Sequence, residues 1–392
     1  MKQQEEGWRG VGDKHVCARC FHDYAIKEFI EENAIEKRCS YCGRRGKKTI
    51  AAEMDAVIEF IADGINSDYE DPVHSVGYET AEGGYLLSTM DGRELIENVG
   101  LDDSHEEVVE DLCDAFGGQP WVHQDPYGDL PCDSLRYDWN AFAELVKHKT
   151  RFVFFRLTTT GKMAWDREPH EILDSLHQIV EELELVRTVD SSAKFFRARQ
   201  HDSAEVVKGA KAIGTPPPSL ASHSRMSPAG IPMLYVATDE ATAIAEVHYL
   251  HPTSTRITVG KFINLRPLRI LDLSSIPDVP SLFDQARRHQ RMPLIFLHDF
   301  ADEISKPISD AAKSYEYVPT QVMTEYFRHL YHLPTEENPT PRLPLDGLAF
   351  RSSKQKGGIN FTLFFDQDAC ADTPTEDKAV MLLKATKRKS AP

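Results

Sequence analysis

Residues 224–249 read SRMSPAGIPMLYVATDEATAIAEVHY, and their patterning decides the architecture of the second half of the chain. Arg225 lies in a turn-rich run with Pro228 and Gly230, just ahead of the apolar strand MLYVA that carries Tyr235. Asp239 is spaced as an N-cap for the short helix EATAIAEVHYL, which carries Glu246. A turn, a strand and a helix can converge three polar side chains on one cleft. Repeated apolar positions build a core instead.

On either side of this stretch the apolar spacing predicts further strands: KFFRARQ (194–200), RITVGKFI (256–263) and LRILDL (268–273). TPPP (215–218) opens a loop, and two helices are expected within 281–304 and 320–333. A proline-rich connection then leads to the strands GLAFRSS and INFTLFF, separated by KQKGG. Strands with interspersed helices predict an α+β domain with a mixed or antiparallel sheet. Towards the N-terminus the spacing predicts helices over 49–63, 105–116, 137–146 and 171–186, with a turn-rich loop over 117–131. The resulting division is a cysteine-bearing module (1–48), a helical domain (49–189), an α+β domain (190–370) and a mobile basic tail (371–392).

The seven cysteines include Cys17-x2-Cys20 and Cys39-x2-Cys42, with eighteen residues between the pairs. That spacing fits a closed four-thiolate Zn(II) site that stabilises the fold and leaves no coordination position for catalytic water. The helical run DYAIKEFIEEN between the pairs suggests a treble-clef or ribbon-like finger. GRRGKKT (43–49) has two residues between its glycines where a phosphate loop needs four, and no strand precedes it. No GxGxxG follows a strand, which disfavours a dinucleotide-binding dehydrogenase.

At 392 residues the chain is long enough for two cores. Its formal charge of -17 argues against nucleic-acid binding through bulk electrostatics. No apolar run approaches the roughly 18–20 residues of a membrane span, and the first fifteen residues show no signal-peptide pattern, so a cytoplasmic protein is expected.

The second half resembles the RES-domain family, named for essential Arg, Glu and Ser residues. FFRAR (195–199), SRMSPAGIPMLYVA, ATAIAEVH, YVPTQ (317–321) and LDGLAFRSS followed by GG occur in the family's order, across residues 190–367. Small RES toxins commonly have Gly-Arg-Trp-Asn where this chain has Ser224-Arg225-Met226-Ser227; the arginine is kept. The first half, on its cysteine pairs, is similar to the HEPN/RES N-terminal domain of a longer subgroup. The resemblance implies a fold like diphtheria-toxin-type ADP-ribosyltransferases, NAD as substrate, and Arg225, Tyr235, Glu246 and Ser352 at the catalytic and NAD-binding positions, with Ser353 the adjacent alternative. It also implies a toxin–antitoxin or antiphage setting, hence an antitoxin or inhibitor as partner; a homo-oligomer is open. An RNase motif, Arg-x(4–6)-His, is matched by Arg9 to His15 in the glycine-containing leader, a poor location.

The residue chemistry suits NAD. Arg225 can grip the pyrophosphate with its guanidinium fork. Tyr235 can stack on the cationic nicotinamide. Cleaving the N-glycosidic bond develops positive charge on the ribose, which Glu246 can stabilise, and Ser352 would orient the glutamate or the ribose. Arg197 and Arg199 are candidates for further phosphate contacts, with one of them expected to face the cleft. The expected enzyme is an NAD glycohydrolase or phosphorylase. The alternatives are ADP-ribosyl transfer to a macromolecule and an inert zinc-dependent interaction or nucleic-acid-binding protein.

Overall fold

The computed structural model describes residues 7–80, 83–156, 168, 170–247, 256–309, 311–333 and 340–390. The chain divides into two compact units: Met1–Asp133 with Asp278–Ile295, and Ser134–Pro277 with Phe296–Pro392.

In the first unit, β1 (His15–Cys17) pairs antiparallel with β2 (Ala51–Glu53), so Cys17 lies opposite Ala51. Between them runs α1 (Tyr24–Glu32), whose N-cap Asp23 accepts from Ala25 N and Ile26 N at 2.9 and 3.1 Å. Three further helices complete it: α2 (Met54–Asp68), α3 (Gly92–Asn98), which starts on a capping box from Asp91 and Glu94, and α4 (Glu106–Phe116). Two short ribbons, β3 (Tyr69–Glu70) with β6 (Val122–His123) and β4 (Tyr78–Glu79) with β5 (Gly84–Tyr85), close it. One core joins the cysteines to the helices, with Val16, Ile26, Ile58, Ile61 and Phe116 all fully buried. The cysteine-bearing segment therefore shares one core with the helices that follow it. The helix expected from residue 49 begins at Met54, because Ala51 and Ala52 are buried in the ribbon with β1.

The second unit holds α5 (Pro131–His148), α6 (Glu171–Glu182) and a nine-stranded sheet of order β14-β15-β10-β8-β9-β13-β12-β11-β7. The strands are β7 (Val186–Val189), β8 (Lys194–His201), β9 (Leu234–Ala237), β10 (Arg256–Asn264), β11 (Leu268–Asp272), β12 (Gly347–Arg351), β13 (Ile359–Leu363), β14 (Cys370–Ala371) and β15 (Met381–Ser390). Pairing is antiparallel except at β11–β12 and β14–β15, which makes the sheet mixed. Its helices are α7 (Ala210–Ile213), α8 (Glu240–Val247), α9 (Arg291–Ser305), α10 (Lys313–Glu316) and α11 (Val318–His329). Alternation along the strands separates two faces. One buries Phe195, Val236, Phe262, Ile270 and Phe361 with α7; the other packs Ala198, Ala237 and Val259 against Ala243 of α8. Each fully buried Val, Ile or Phe side chain contributes roughly 1.5–3 kcal/mol.

Three sequence expectations change here. The helix expected over 171–186 stops at Glu182, and Val186–Val189 becomes the edge strand β7. The helix expected over 137–146 runs from Pro131 to His148. The expected mobile tail from residue 371 is replaced by β15, which pairs with β10 from Met381 to Ser390. Its basic residues Lys384, Lys387, Arg388 and Lys389 stand on a strand with little partner on its other side beyond Leu382, a charged edge of the kind that discourages further pairing.

Candidate active site

Four side chains from three elements and a loop meet over the α8 face of the sheet. Asp239 caps α8: its Oδ1 accepts from Thr242 N at 2.8 Å and its Oδ2 from Thr242 Oγ1 at 2.6 Å. The cap sets the phase of the helix so that Glu246, two turns on, reaches the β12–β13 hairpin. There Ser352 Oγ donates to Glu246 Oε1 at 2.5 Å, and Asn360 Nδ2 donates to the same oxygen at 2.6 Å. Ser352 Oγ accepts in turn from Lys354 N and Gln355 N, both at 3.1 Å, so its proton is directed at the glutamate. Tyr235 pairs with Thr362 across β9–β13 and its hydroxyl shares a hydrogen bond with Ser227 Oγ at 2.8 Å. Burial pushes the Tyr235 phenol up to about 12, which keeps it protonated near neutrality.

Arg225 sits in the Ser224–Ser227 turn, which α11 holds from behind. Thr320 Oγ1 donates to Arg225 O, and Gln321 Nε2 donates to Ser224 O at 2.8 Å and to Ser227 O at 3.3 Å. The guanidinium lies over the Tyr317 ring, 5.2 Å from its centroid, and Nη2 donates to Lys306 O at 2.6 Å. Arg197 Nη1 donates to Tyr235 O at 2.8 Å, and its Nε is sealed from solvent without a partner. Burial lowers both arginines from their usual value, yet neither has a carboxylate within ion-pair distance among the described residues.

A cavity of about 370 Å³ opens over these groups. Arg197, Arg225, Lys313, Arg351 and Lys354 line it, and among the described residues Glu246 is its only carboxylate. In a chain of formal charge -17 this concentration of positive charge is local and specific. Tyr235 and Ser353 also line the cavity; Ser352 reaches it through Glu246. Arg199 lies apart, bonded to Ala212 O at 3.0 Å and Glu205 at 2.7 Å. Arg197 borders the cavity and Arg199 does not, but the alternation expected to separate them is not the reason. At i and i+2 both point to the same face, and position along the strand separates them.

The sequence alone assigns no site role to Asn360, Thr320, Gln321 or Tyr317. Asn360 could have been found: in INFTLFF the polar residues Asn360 and Thr362 alternate with apolar ones, which marks a polar strand face. The YVPTQ run was legible as text, but its contacts to a turn almost a hundred residues away were not.

In the first unit the sulfurs of Cys17, Cys20, Cys39 and Cys42 lie within 4.8 Å of one another, three of them buried. The separations are 3.9 Å for Cys17–Cys20, 3.6 Å for Cys17–Cys42 and 3.6 Å for Cys20–Cys39. A tetrahedral ion with metal–sulfur bonds of about 2.3 Å requires sulfurs about 3.8 Å apart. The cluster fits a metal ion. The hydrogen bond shared with Cys20, with backbone donors beside it, lowers the Cys39 thiol below its usual value.

The sequence model of the RES domain family matches residues 194–383, and that of HEPN/RES N-terminal domain 1 matches residues 32–160. The chain is a RES-domain protein. RES domains are associated with NAD-degrading toxin–antitoxin systems. No curated protein and no solved structure is detectably similar to the chain. Among the described residues, no helix of this RES protein is long and apolar enough to cross a membrane.

Proposed function

We propose that this RES-domain protein cleaves the nicotinamide–ribose bond of NAD and passes ADP-ribose to water or inorganic phosphate, as the toxic component of a toxin–antitoxin or antiphage system. The observation that carries the reading is a carboxylate, held by two hydrogen bonds, that among the described residues stands alone in a cavity lined by five cationic side chains. Two of those cations are desolvated and, among the described residues, not ion-paired, an arrangement that favours an anionic ligand. In this reading Arg225 and Arg197 bind the pyrophosphate. Tyr235 stacks its ring on the nicotinamide, and Ser353 contacts the bound dinucleotide. Glu246 stabilises the cationic ribose as the bond breaks, more strongly in the transition state than in the ground state. Ser352 orients Glu246. The nine-stranded mixed sheet supports a fold akin to diphtheria-toxin-type ADP-ribosyltransferases, and the cysteine cluster a structural zinc finger of treble-clef kind.

Incubating the purified full chain with NAD, with and without phosphate, and identifying products by mass tests this. Free ADP-ribose is expected from hydrolysis and a phosphorylated ADP-ribose from phosphorolysis. ADP-ribose found on protein or nucleic acid would mean transfer to a macromolecule instead. Glu246→Gln should lower turnover by about 10²–10³, the size of losing one transition-state electrostatic contact. NAD left intact by the wild type would overturn the enzymatic reading.

A further inference from the structure

Glu246 Oε1 accepts two hydrogen bonds, from Ser352 and Asn360, while Oε2 has no partner among the described residues. The two donors differ in how firmly they are held. Ser352 stands on the exposed turn that follows β12. Asn360 is 8% exposed on β13, hydrogen-bonded as a strand to β12 at Phe350 and to β9 at Ala237. A side chain on an interior strand with neighbours on both sides has little freedom to move, so its amide defines a direction. Two donors on one oxygen restrict rotation of the carboxylate and leave the second oxygen unengaged in a side chain that lines the cavity.

We infer that Asn360 is the positioning residue that sets the working orientation of Glu246, locking Oε1 so that Oε2 faces the reacting ribose. This rests on the proposed NAD chemistry and adds to it which oxygen acts and what holds it. The alternative is that Asn360 merely fills the sheet face and satisfies its own amide. That role would be preserved by a side chain of equal volume and would leave turnover unchanged.

Asn360→Leu keeps the volume and removes the donor, leaving Glu246 on the Ser352 bond alone. Turnover of NAD by the full chain should fall about 10- to 100-fold, the range seen when a partner that orients a catalytic group is lost. KM should stay within about threefold, because the pyrophosphate contacts at Arg225 and Arg197 are untouched. A purely structural role would instead leave kcat unchanged or change KM and the melting temperature together. If Asn360→Leu fails to fold, Asn360→Asp carries the test: it is isosteric, cannot donate when ionised, and should lower kcat at least as far. Turnover within threefold of wild type in the variant that folds overturns the role of Asn360 alone. Wild-type protein that leaves NAD intact overturns the NAD reading, and the assignment of Asn360 falls with it.

Discussion

A Cβ on Gly358 would stand 2.5 Å from Thr242 Oγ1 and 2.8 Å from Thr242 Cγ2, so the hairpin can close on the first turn of α8 only because this residue has no side chain. Gly357 before it takes φ +76°, a conformation that other residues adopt at a cost. The pair of glycines is therefore what brings Ser352 within reach of Glu246. Gly358→Ala should part the turn from the helix and lower turnover about tenfold, with overall melting changed by only a few degrees. Unaltered kcat would show that the hairpin adapts without moving Ser352. At the cysteine cluster the prediction concerns folding instead. Metal analysis should find about one zinc per chain, and Cys39→Ser should lose it and unfold the first unit, because metal binding supplies folding free energy directly. Retained helix content and protease resistance in a zinc-free Cys39→Ser protein would refute a structural metal.

Between α6 and α11 a polar network replaces the usual apolar seam. His177, 4% exposed, shares a hydrogen bond with Tyr326, whose hydroxyl donates to Asp174 at 2.6 Å. Glu181 accepts from the Tyr331 hydroxyl and from Arg342 Nε, the latter at 2.8 Å. Burial, with Arg342 nearby, holds His177 below its usual value. Burial pushes Glu181 up, but Tyr331 and Arg342 outweigh it and hold the carboxyl below the usual range. Both groups bind fewer protons folded than unfolded, so both add stability above their unfolded pKa values and lose it on acidification. The loss should begin below about pH 6.5 with His177 and deepen below about pH 4.3 with Glu181. Arg342→Met should cost about 1 kcal/mol at pH 7, and the gap to wild type should narrow as the pH falls to 3.5. Melting curves of both proteins across that range check it; a constant gap would mean that Arg342 acts by packing alone. The sequence made these helices legible through their apolar period, but the hydrogen bonds joining them cross about 150 residues and leave no local trace. The strands were legible for the same local reason. LYVA, RITVGKFIN and INFTL are short β-rich runs bounded by turn residues. Ala51–Ala52 and the basic β15 were misread because their partners, not their own composition, make them strands. Of the site, Arg225, Tyr235 and Glu246 could be read as a group because one short stretch carries them all; Asn360 and Gln321 needed the tertiary register.

At the scale of the whole molecule, the family boundaries and the physical units do not coincide. Residues 194–383 match the RES domain, yet 278–295 within them belong to the compact unit built on residues 1–133. The reason is apolar burial. Leu282 and Phe283 are 5% and 2% exposed in the core that holds Ile58 and Ile61, and Gly64 leaves room where a Cβ would come 2.6 Å from the Phe283 ring. Polar contacts follow the same path: Tyr24 donates to Asp284 at 2.6 Å, and Arg288 to Asp63 at 2.7 Å. Cutting the chain at residue 190 would leave this segment without the core that receives it, exposing two large side chains worth roughly 1.5–3 kcal/mol each in burial. A fragment of residues 190–392 should therefore aggregate at concentrations where the full chain stays soluble, although it contains every residue assigned to NAD. Within the full chain Phe283→Ala should destabilise the first unit by about 3–5 kcal/mol, the cost of emptying an aromatic core site. KM for NAD should be unchanged, because Phe283 contributes nothing to the cavity. Scanning calorimetry with and without a zinc chelator separates the outcomes. The transition that moves in Phe283→Ala should be the one the chelator abolishes; a shift in any other transition would place the segment's contribution outside the cysteine-bearing core.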